Sequence, residues 1–338
     1  MESYEHIPVM AAECAEQLAI KRGGVYVDGT VGGAGHALMI LERMYGAGAA
    51  LIGVDRDLTA VAVSTERLRQ RNAELGGLAR CEVAHANFTD IDIICERLGV
   101  FAADGVLLDL GVSSHQLDES ERGFSFQRDA PLDMRMDRSK AGTAADIVNG
   151  YSEKQLTDIF TKYGEERWAA RISKFITGRR AKQPIRTTRE LAGTVLAAIP
   201  KGARRDGPHP AQKVFMSLRI CVNGELDALA EAIRRAVAIL NPGGRLCVLS
   251  YHSLEDRIVK NTIRELSQIC ACPKELPVCV CGRNPPLRPA TRKPIVAGEA
   301  EMARNPRSGS AKLRAAEKLT AAARRTQTLT EPLIKDMD

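Results

Sequence analysis

Asp28 is followed by a turn holding Gly29, Gly32, Gly33 and Gly35, and then by a helix-like run from His36 to Met44. An apolar strand, a glycine turn and a helix start, in that order, form a cradle for a nucleotide-type ligand. Glycines let the backbone approach a ligand, and a helix N-terminus offers unpaired N–H groups. Two more acids end apolar runs, Asp55 after AALIGVD and Asp109 within GVLLDL. In an open α/β sheet, strand carboxyl ends are where ligand and chemistry meet. A further run, Ser250-Tyr251-His252-Ser253, leaves another strand, with Tyr251 and His252 able to hydrogen-bond or stack. Ser253 is an equally good helix cap, with Asp256 three residues on.

Those residues need strands to carry them. Val25–Asp28, Ala49–Asp55, Arg80–Ala84 and Gly105–Leu110 read as four strands. Ala37–Tyr45, Leu58–Glu74 and Ile91–Leu98 read as the helices between them. On Leu58–Glu74, Leu58, Val61 and Leu68, with Leu75 just beyond, mark the expected buried side. Near the N-terminus, Val9, Cys14, Leu18 and Ala19 fall close to helical spacing. Strand alternating with helix predicts a doubly wound, mostly parallel sheet. The next strand, Arg245–Ser250, comes only after helix Glu225–Leu240 and the turn Asn241–Gly244. Well over a hundred residues separate it from the fourth, far more than one crossover needs. A helical insertion between strands 4 and 5 is expected, spanning 117–213, with the core built from 1–116 and 214–325. Helices are expected at Glu165–Arg179 and Arg189–Ile199, with Trp168 in the insert's core rather than stacking on a base. Beyond the fifth strand, Leu254–Cys270 reads as helix and Ser310–Glu317 as a last strand. Residues 326–338 read as a disordered tail.

The net charge is +6, but the distribution is uneven. Arg167–Lys213 holds twelve Lys/Arg against two Asp/Glu, and Arg283–Arg325 eleven against three. Concentrated basic charge is the footprint of a polyanion binder, although a solvated basic face gives the same count. No apolar run approaches the roughly 20 residues of a membrane span, and MESYEHIPVM lacks a signal-peptide pattern. Nine cysteines without a secretion signal fit a reducing, cytoplasmic setting. Four of them, Cys270, Cys272, Cys279 and Cys281, lie in a proline-rich loop. Four thiolates make a tetrahedral zinc set, but the one-residue gap within each pair is not the usual spacing. Ordinary thiols and a redox disulfide are the competing readings.

The ligand on the glycine loop can be narrowed. A G-x-G-x-x-G reading started at Gly33 reaches Leu38 where the third glycine belongs, which counts against a dinucleotide. The loop looks more like that of S-adenosylmethionine-dependent methyltransferases. Their cofactor carries a sulfonium and an ammonium rather than a pyrophosphate, so Asp28 nearby is electrostatically sensible. Asp55 is placed to accept from ribose hydroxyls. Phe88 either covers an adenine or anchors its loop.

The long motifs go further. HxPV at His6–Val9, DGTVGGAGH at Asp28–His36, LLDLGVSSHQLD at Leu107–Asp118 and RGFSF at Arg122–Phe126 occur together with PLDMRMD, YGEER, VNGEL, PGGRL, SYHSLEDRIVK and NPRSGSAKLRAAE. This series resembles the bacterial RsmH (MraW) family, cytosine-N4 methyltransferases of small-subunit (16S) ribosomal RNA, over nearly the whole chain. The resemblance implies a class I, Rossmann-like S-adenosylmethionine methyltransferase fold. It implies cofactor contacts at Ala34, Gly35, His36, Asp55, Phe88, Asp109 and Gln116. Two departures stand out: His115 where relatives often have proline, and Gly33 where they often have a bulky or charged residue.

Cytosine's exocyclic amine is a poor nucleophile because its lone pair is delocalised into the ring. Asp109, or a carbonyl beside it, is the expected acceptor on that amine, with Tyr251 or His252 holding the base. Arg179, Arg180, Lys182, Arg186, Arg204 and Arg205 are the expected phosphate grip of the insert. The expected partner is ribosomal RNA or the small ribosomal subunit, without a membrane, the protein acting as monomer or homodimer. A methyltransferase for DNA or a small amine would not need the basic insert. A non-catalytic RNA binder on this scaffold would not need intact strand-end acids.

Overall fold

The hydrophobic alternation along the strands sorts side chains to two faces of one sheet. In the computed structural model, which describes residues 8–113, 116–117, 119–204, 209–270, 272–273, 276 and 280–320, the first four strands are β1 (Val25–Asp28), β2 (Ala50–Asp55), β3 (Arg80–His85) and β4 (Ala103–Asp109). They are followed by β5 (Leu240–Ser250), β6 (Leu287–Pro289), β7 (Ile295–Val296) and β8 (Lys312–Lys318). Sheet order is β3-β2-β1-β4-β5-β8-β6, with β7 also on β8. The first five strands run parallel, whereas β8 is antiparallel to β5, β6 and β7.

Val27, Ile52, Val54, Val106, Leu108, Leu246 and Val248 face one core cluster. It is completed by α4 (Ile91–Arg97), α10 (Leu229–Ala238) and α11 (Ser253–Ser267). Their strand neighbours Tyr26, Leu51, Leu107, Cys247 and Leu249 face the other cluster, with α1 (Ala11–Leu18), α2 (Gly35–Met44) and α3 (Leu58–Glu74). The doubly wound architecture expected from the sequence is therefore present. One detail differs: Leu58 is 58% exposed, whereas Leu68 is buried as expected and Ser64 joins it. β5 also starts earlier than Arg245. Ala103 pairs with Leu240, and the Asn241–Gly244 turn is absorbed as an irregularity before Gly105 meets Arg245.

Residues Val112–Asp227 form a second compact unit, separate from the one built of 1–111 and 228–338. Its helices are α5 (Ala144–Gly150), α6 (Glu153–Gly164), α7 (Ala169–Arg180), α8 (Thr188–Ala198) and α9 (Ala211–Asn223). Three of them start at reciprocal capping boxes, Thr143/Asp146, Ser152/Gln155 and Thr187/Glu190. The unit is wider than 117–213 because α9 sends Val214, Phe215 and Leu218 into the same core as Phe160, Ile172 and Val195. Trp168 packs against that core, half-buried at the start of α7. Residues 326–338 lie outside the described residues, as do Arg205, His115 and Cys279.

Candidate active site at the strand ends

Strand order reverses between β1 and β4, since β2 and β3 extend to one side of β1 and β5 to the other side of β4. The carboxyl ends of β1 and β4 thus border the crevice where open α/β sheets bind ligands. Asp28 ends β1 and Asp109 ends β4.

The loop that follows Asp28 is tightly fixed. Gly29 donates its N–H to the Leu107 carbonyl at 2.9 Å. A Cβ on Gly29 would lie 2.5 Å from a Leu108 methyl and 3.3 Å from Phe88 Cβ, so any larger residue would have to push the Leu108 side chain aside. Gly32 donates to Asp55 Oδ2 at 2.8 Å and Asp57 N–H to Asp55 Oδ1 at 2.9 Å. Asp55 is thereby oriented by one backbone donor on each oxygen; burial pushes its carboxyl above the usual range while those two donors oppose the rise. Ala34, the N-cap of α2, is left-handed at φ 68°. Gly33 is the open position: a Cβ there would sit 3.7 Å from the Arg67 guanidinium, an ordinary contact.

Asp28 is buried and accepts from Thr30 N–H at 3.1 Å. Burial raises its carboxyl to about 6; His36 and the Thr30 N–H pull it down, while Asp109 and Asp55 push it up. Asp109 is held on three sides. Its N–H donates to Thr30 Oγ1 at 2.6 Å, and its Oδ1 accepts from the Tyr251 hydroxyl at 2.7 Å. Its Oδ2 lies 3.4 Å from His36 Nδ1. His36 is buried with Nε2 2.9 Å from the Val9 carbonyl. A carbonyl only accepts, so Nε2 carries a hydrogen, and the Nδ1–Asp109 contact is attractive only when one of that pair also holds a proton. Burial, with Asp109 alongside, drives the Tyr251 phenol far above its ordinary value, so it stays a donor.

Tyr251 is positioned by a residue that the sequence reading missed. Glu255, buried, accepts Tyr251 N–H at 2.8 Å and His252 N–H at 3.3 Å. The N-cap of α11 is His252, whose Nδ1 accepts Glu255 N–H at 3.3 Å, while Nε2 lies 3.1 Å from Glu255 Oε1. The expected Ser253/Asp256 cap is replaced by this His252/Glu255 box. Asp256 instead pairs with Arg314 at 2.7 Å and Lys312 at 3.5 Å on β8. The clue was present as Glu three residues after His252, but histidine is an uncommon cap and serine the more familiar one.

Phe88 is buried in the sheet core beside Gly29, with the Arg56 guanidinium 5.9 Å from its ring centroid. Gln116 belongs to the second unit, where its side chain accepts from Ser113 N–H at 3.1 Å and its own N–H reaches Ser113 Oγ at 3.2 Å. Several arginines expected to grip phosphate hold carbonyls of that unit. Arg180 donates to Val148 O at 2.6 Å and to Tyr151 O, and Arg204 to Leu196 O at 2.8 Å and Ile199 O at 3.2 Å. Arg179 donates to Gln183 O at 2.9 Å and lies 3.9 Å from Glu190. Lys182 and Arg186 are exposed.

The family of sequences described as the MraW methylase family matches residues 3–319. A "Ribosomal RNA small subunit methyltransferase H" from Symbiobacterium thermophilum is 50% identical over 319 residues, covering 94% of this chain and 98% of that protein. Proteins of the same name from Geobacter sp. strain M21 and Clostridioides difficile are 53% and 49% identical, each over 94% of this chain and 100% and 99% of their own. Carboxylates closing three neighbouring strands, Asp28, Asp55 and Asp109, and relatives at this identity over nearly the full length, lead to one assignment: the chain belongs to the MraW methylase family.

Proposed function

We propose that this protein transfers a methyl group from S-adenosylmethionine to the N4 amine of a cytidine in small-subunit ribosomal RNA. The observation that carries the reading is Asp109, fixed at the switch point by Thr30 and Tyr251 with its side chain still 24% exposed. The cofactor's charge fits the crevice. Asp109 and Asp55 each push the Asp28 carboxyl up, and a cation would relieve that repulsion where a pyrophosphate would worsen it.

When bound, S-adenosylmethionine supplies an electrophilic methyl on a sulfonium. The chain supplies placement and an acceptor. Gly32–His36 bring backbone close to the ligand, and Asp55, oriented by Gly32 and Asp57, offers its remaining lone pairs to ribose hydroxyls. Asp109 accepts from the amine as the N–C bond forms, which localises the nitrogen pair, and takes the proton that N4 sheds. Tyr251 holds Asp109, and Glu255 with His252 hold Tyr251, so His252 acts as a positioning residue in this account. The second unit, with Lys182 and Arg186 outward, grips the RNA backbone without reading sequence. A metal at the cysteine loop is required by none of these steps.

The test is nucleoside mass spectrometry of ribosomal RNA from cells with and without the gene, followed by restoration with purified protein and cofactor. Loss and recovery of an N4-methylated cytidine is expected. An unchanged methylcytidine profile would overturn the reading.

A further inference from the structure

Among its described residues, the loop between α11 and β6 has no core of its own. Between Ile263 and Pro285 no described residue is buried, and Leu276 and Val280 are 46% and 75% exposed. Yet the sulfurs of Cys270, Cys272 and Cys281 converge, all within 4.8 Å of one another. The Cys270 and Cys281 sulfurs are 3.9 Å apart. A metal–thiolate distance of about 2.3 Å in a tetrahedron sets a sulfur–sulfur edge of roughly 3.8 Å. A disulfide needs about 2.05 Å, roughly half the observed separation.

Backbone donors are aimed at these sulfurs. Cys272 N–H points to Cys270 Sγ at 3.4 Å, and Val280 N–H to Cys272 Sγ at 3.3 Å. An N–H on sulfur favours the thiolate over the thiol, which a metal ligand requires. Around them, Gln268 donates to the Cys270 carbonyl at 2.7 Å and accepts from Arg283 at 3.0 Å. That places a cation next to a centre that three thiolates make net negative, the kind of outer support that orients metal ligands.

We propose that Cys270, Cys272 and Cys281 bind a structural zinc ion, or another thiophilic cation of the same tetrahedral preference, and that the metal orders this loop. Soft thiolates select such a cation over magnesium or calcium. The fourth corner belongs to a donor outside this set of three; Cys279 lies outside the described residues. The proposal is independent of the methyl-transfer reading, because its readouts need neither RNA nor cofactor.

Full-length protein purified without chelator is assayed for zinc by elemental mass spectrometry. About one zinc per chain is expected, and the Cys270→Ser and Cys281→Ser variants are expected to lose at least about ten-fold in zinc affinity. Cys221→Ser, far from the loop in sequence, keeps the full content. Cobalt exchanged into the wild-type protein gives the intense visible bands and sulfur-to-metal charge transfer of a tetrahedral thiolate site. Circular dichroism of each variant separates loss of metal from loss of fold. A folded Cys281→Ser protein with undiminished zinc overturns the proposal. So does wild-type protein that takes up neither zinc nor cobalt.

Discussion

The Tyr251 hydroxyl donates to Asp109 Oδ1 across 2.7 Å, joining the residue just past β5 to the last residue of β4. Because the phenol is buried and held neutral, it donates to the carboxylate throughout the working pH range. The bond fixes the carboxylate's rotation while leaving lone pairs on both oxygens.

Replacing Tyr251 by phenylalanine removes that one donor and little volume. We expect kcat to fall about ten- to a hundred-fold, with cofactor affinity changing by less than about three-fold. Asp109→Asn should cost more, since an amide cannot take the N4 proton. Single-turnover assays with cofactor titrations separate the two effects. Full turnover in Tyr251→Phe would remove the clamp from the mechanism.

Asp28 should make stability depend on pH. Its folded carboxyl sits near 6 against an ordinary 3.8, so the folded state holds this proton more tightly than the unfolded state does. The cost of burying the charge is absent below the unfolded value, grows as pH rises between the two, and is complete above the folded one. Asp28→Asn should match wild type near pH 4 and exceed it by up to about 3 kcal/mol above pH 7. Urea unfolding at both pH values checks this; a destabilised variant at the higher pH would show that the charge is not the cost.

Asp55 joins loop geometry to ligand binding. Asp55→Ala strips acceptors from Gly32 and Asp57 N–H groups, so a loss of about 1–3 kcal/mol in stability is expected along with cofactor affinity. Asp55→Asn keeps an acceptor and should recover part of the stability. Calorimetric titration alongside thermal melts reads both quantities.

Within the basic unit, charge number and charge availability differ. Arg180→Ala leaves the Val148 and Tyr151 carbonyls without its guanidinium and should destabilise the protein by about 1–3 kcal/mol. Lys182→Ala and Arg186→Ala should leave melting unchanged, weaken RNA binding, and each reduce the salt slope by about one. Filter binding across a salt series distinguishes them. Equal salt slopes in all three variants would contradict the division.

Where side chains obey a period, the sequence was readable. β1 and α3 have the expected bounds, and the other central strands differ chiefly at their ends. Strand-end acids were visible for the same reason, because each closes an apolar run. The antiparallel edge was harder. β6 and β7 have three and two residues, too short for alternation to register, and β6 ends in proline. Glu255 was hidden because its role depends on two backbone N–H groups brought to it by a cap that starts at a histidine, with the more familiar serine cap one residue on. The arginines misled in the opposite direction: composition counts Arg180 and Lys182 alike, whereas only structure shows which one is tied to carbonyls.

The covering of β5 by β8 has a consequence for the order in which the molecule can be made. Residues Val112–Asp227 are continuous in sequence, so that unit has all its core partners once the ribosome has released Asp227. The sheet has no such moment until much later. β5 presents an open hydrogen-bonding edge until Lys312–Lys318 arrives to pair with it, register Ser250 to Lys312 and Arg245 to Glu317. Nascent chains stopped before Lys312 should therefore contain a protease-resistant insert beside a sheet that still binds chaperones, and chains extended past Lys318 should lose that binding.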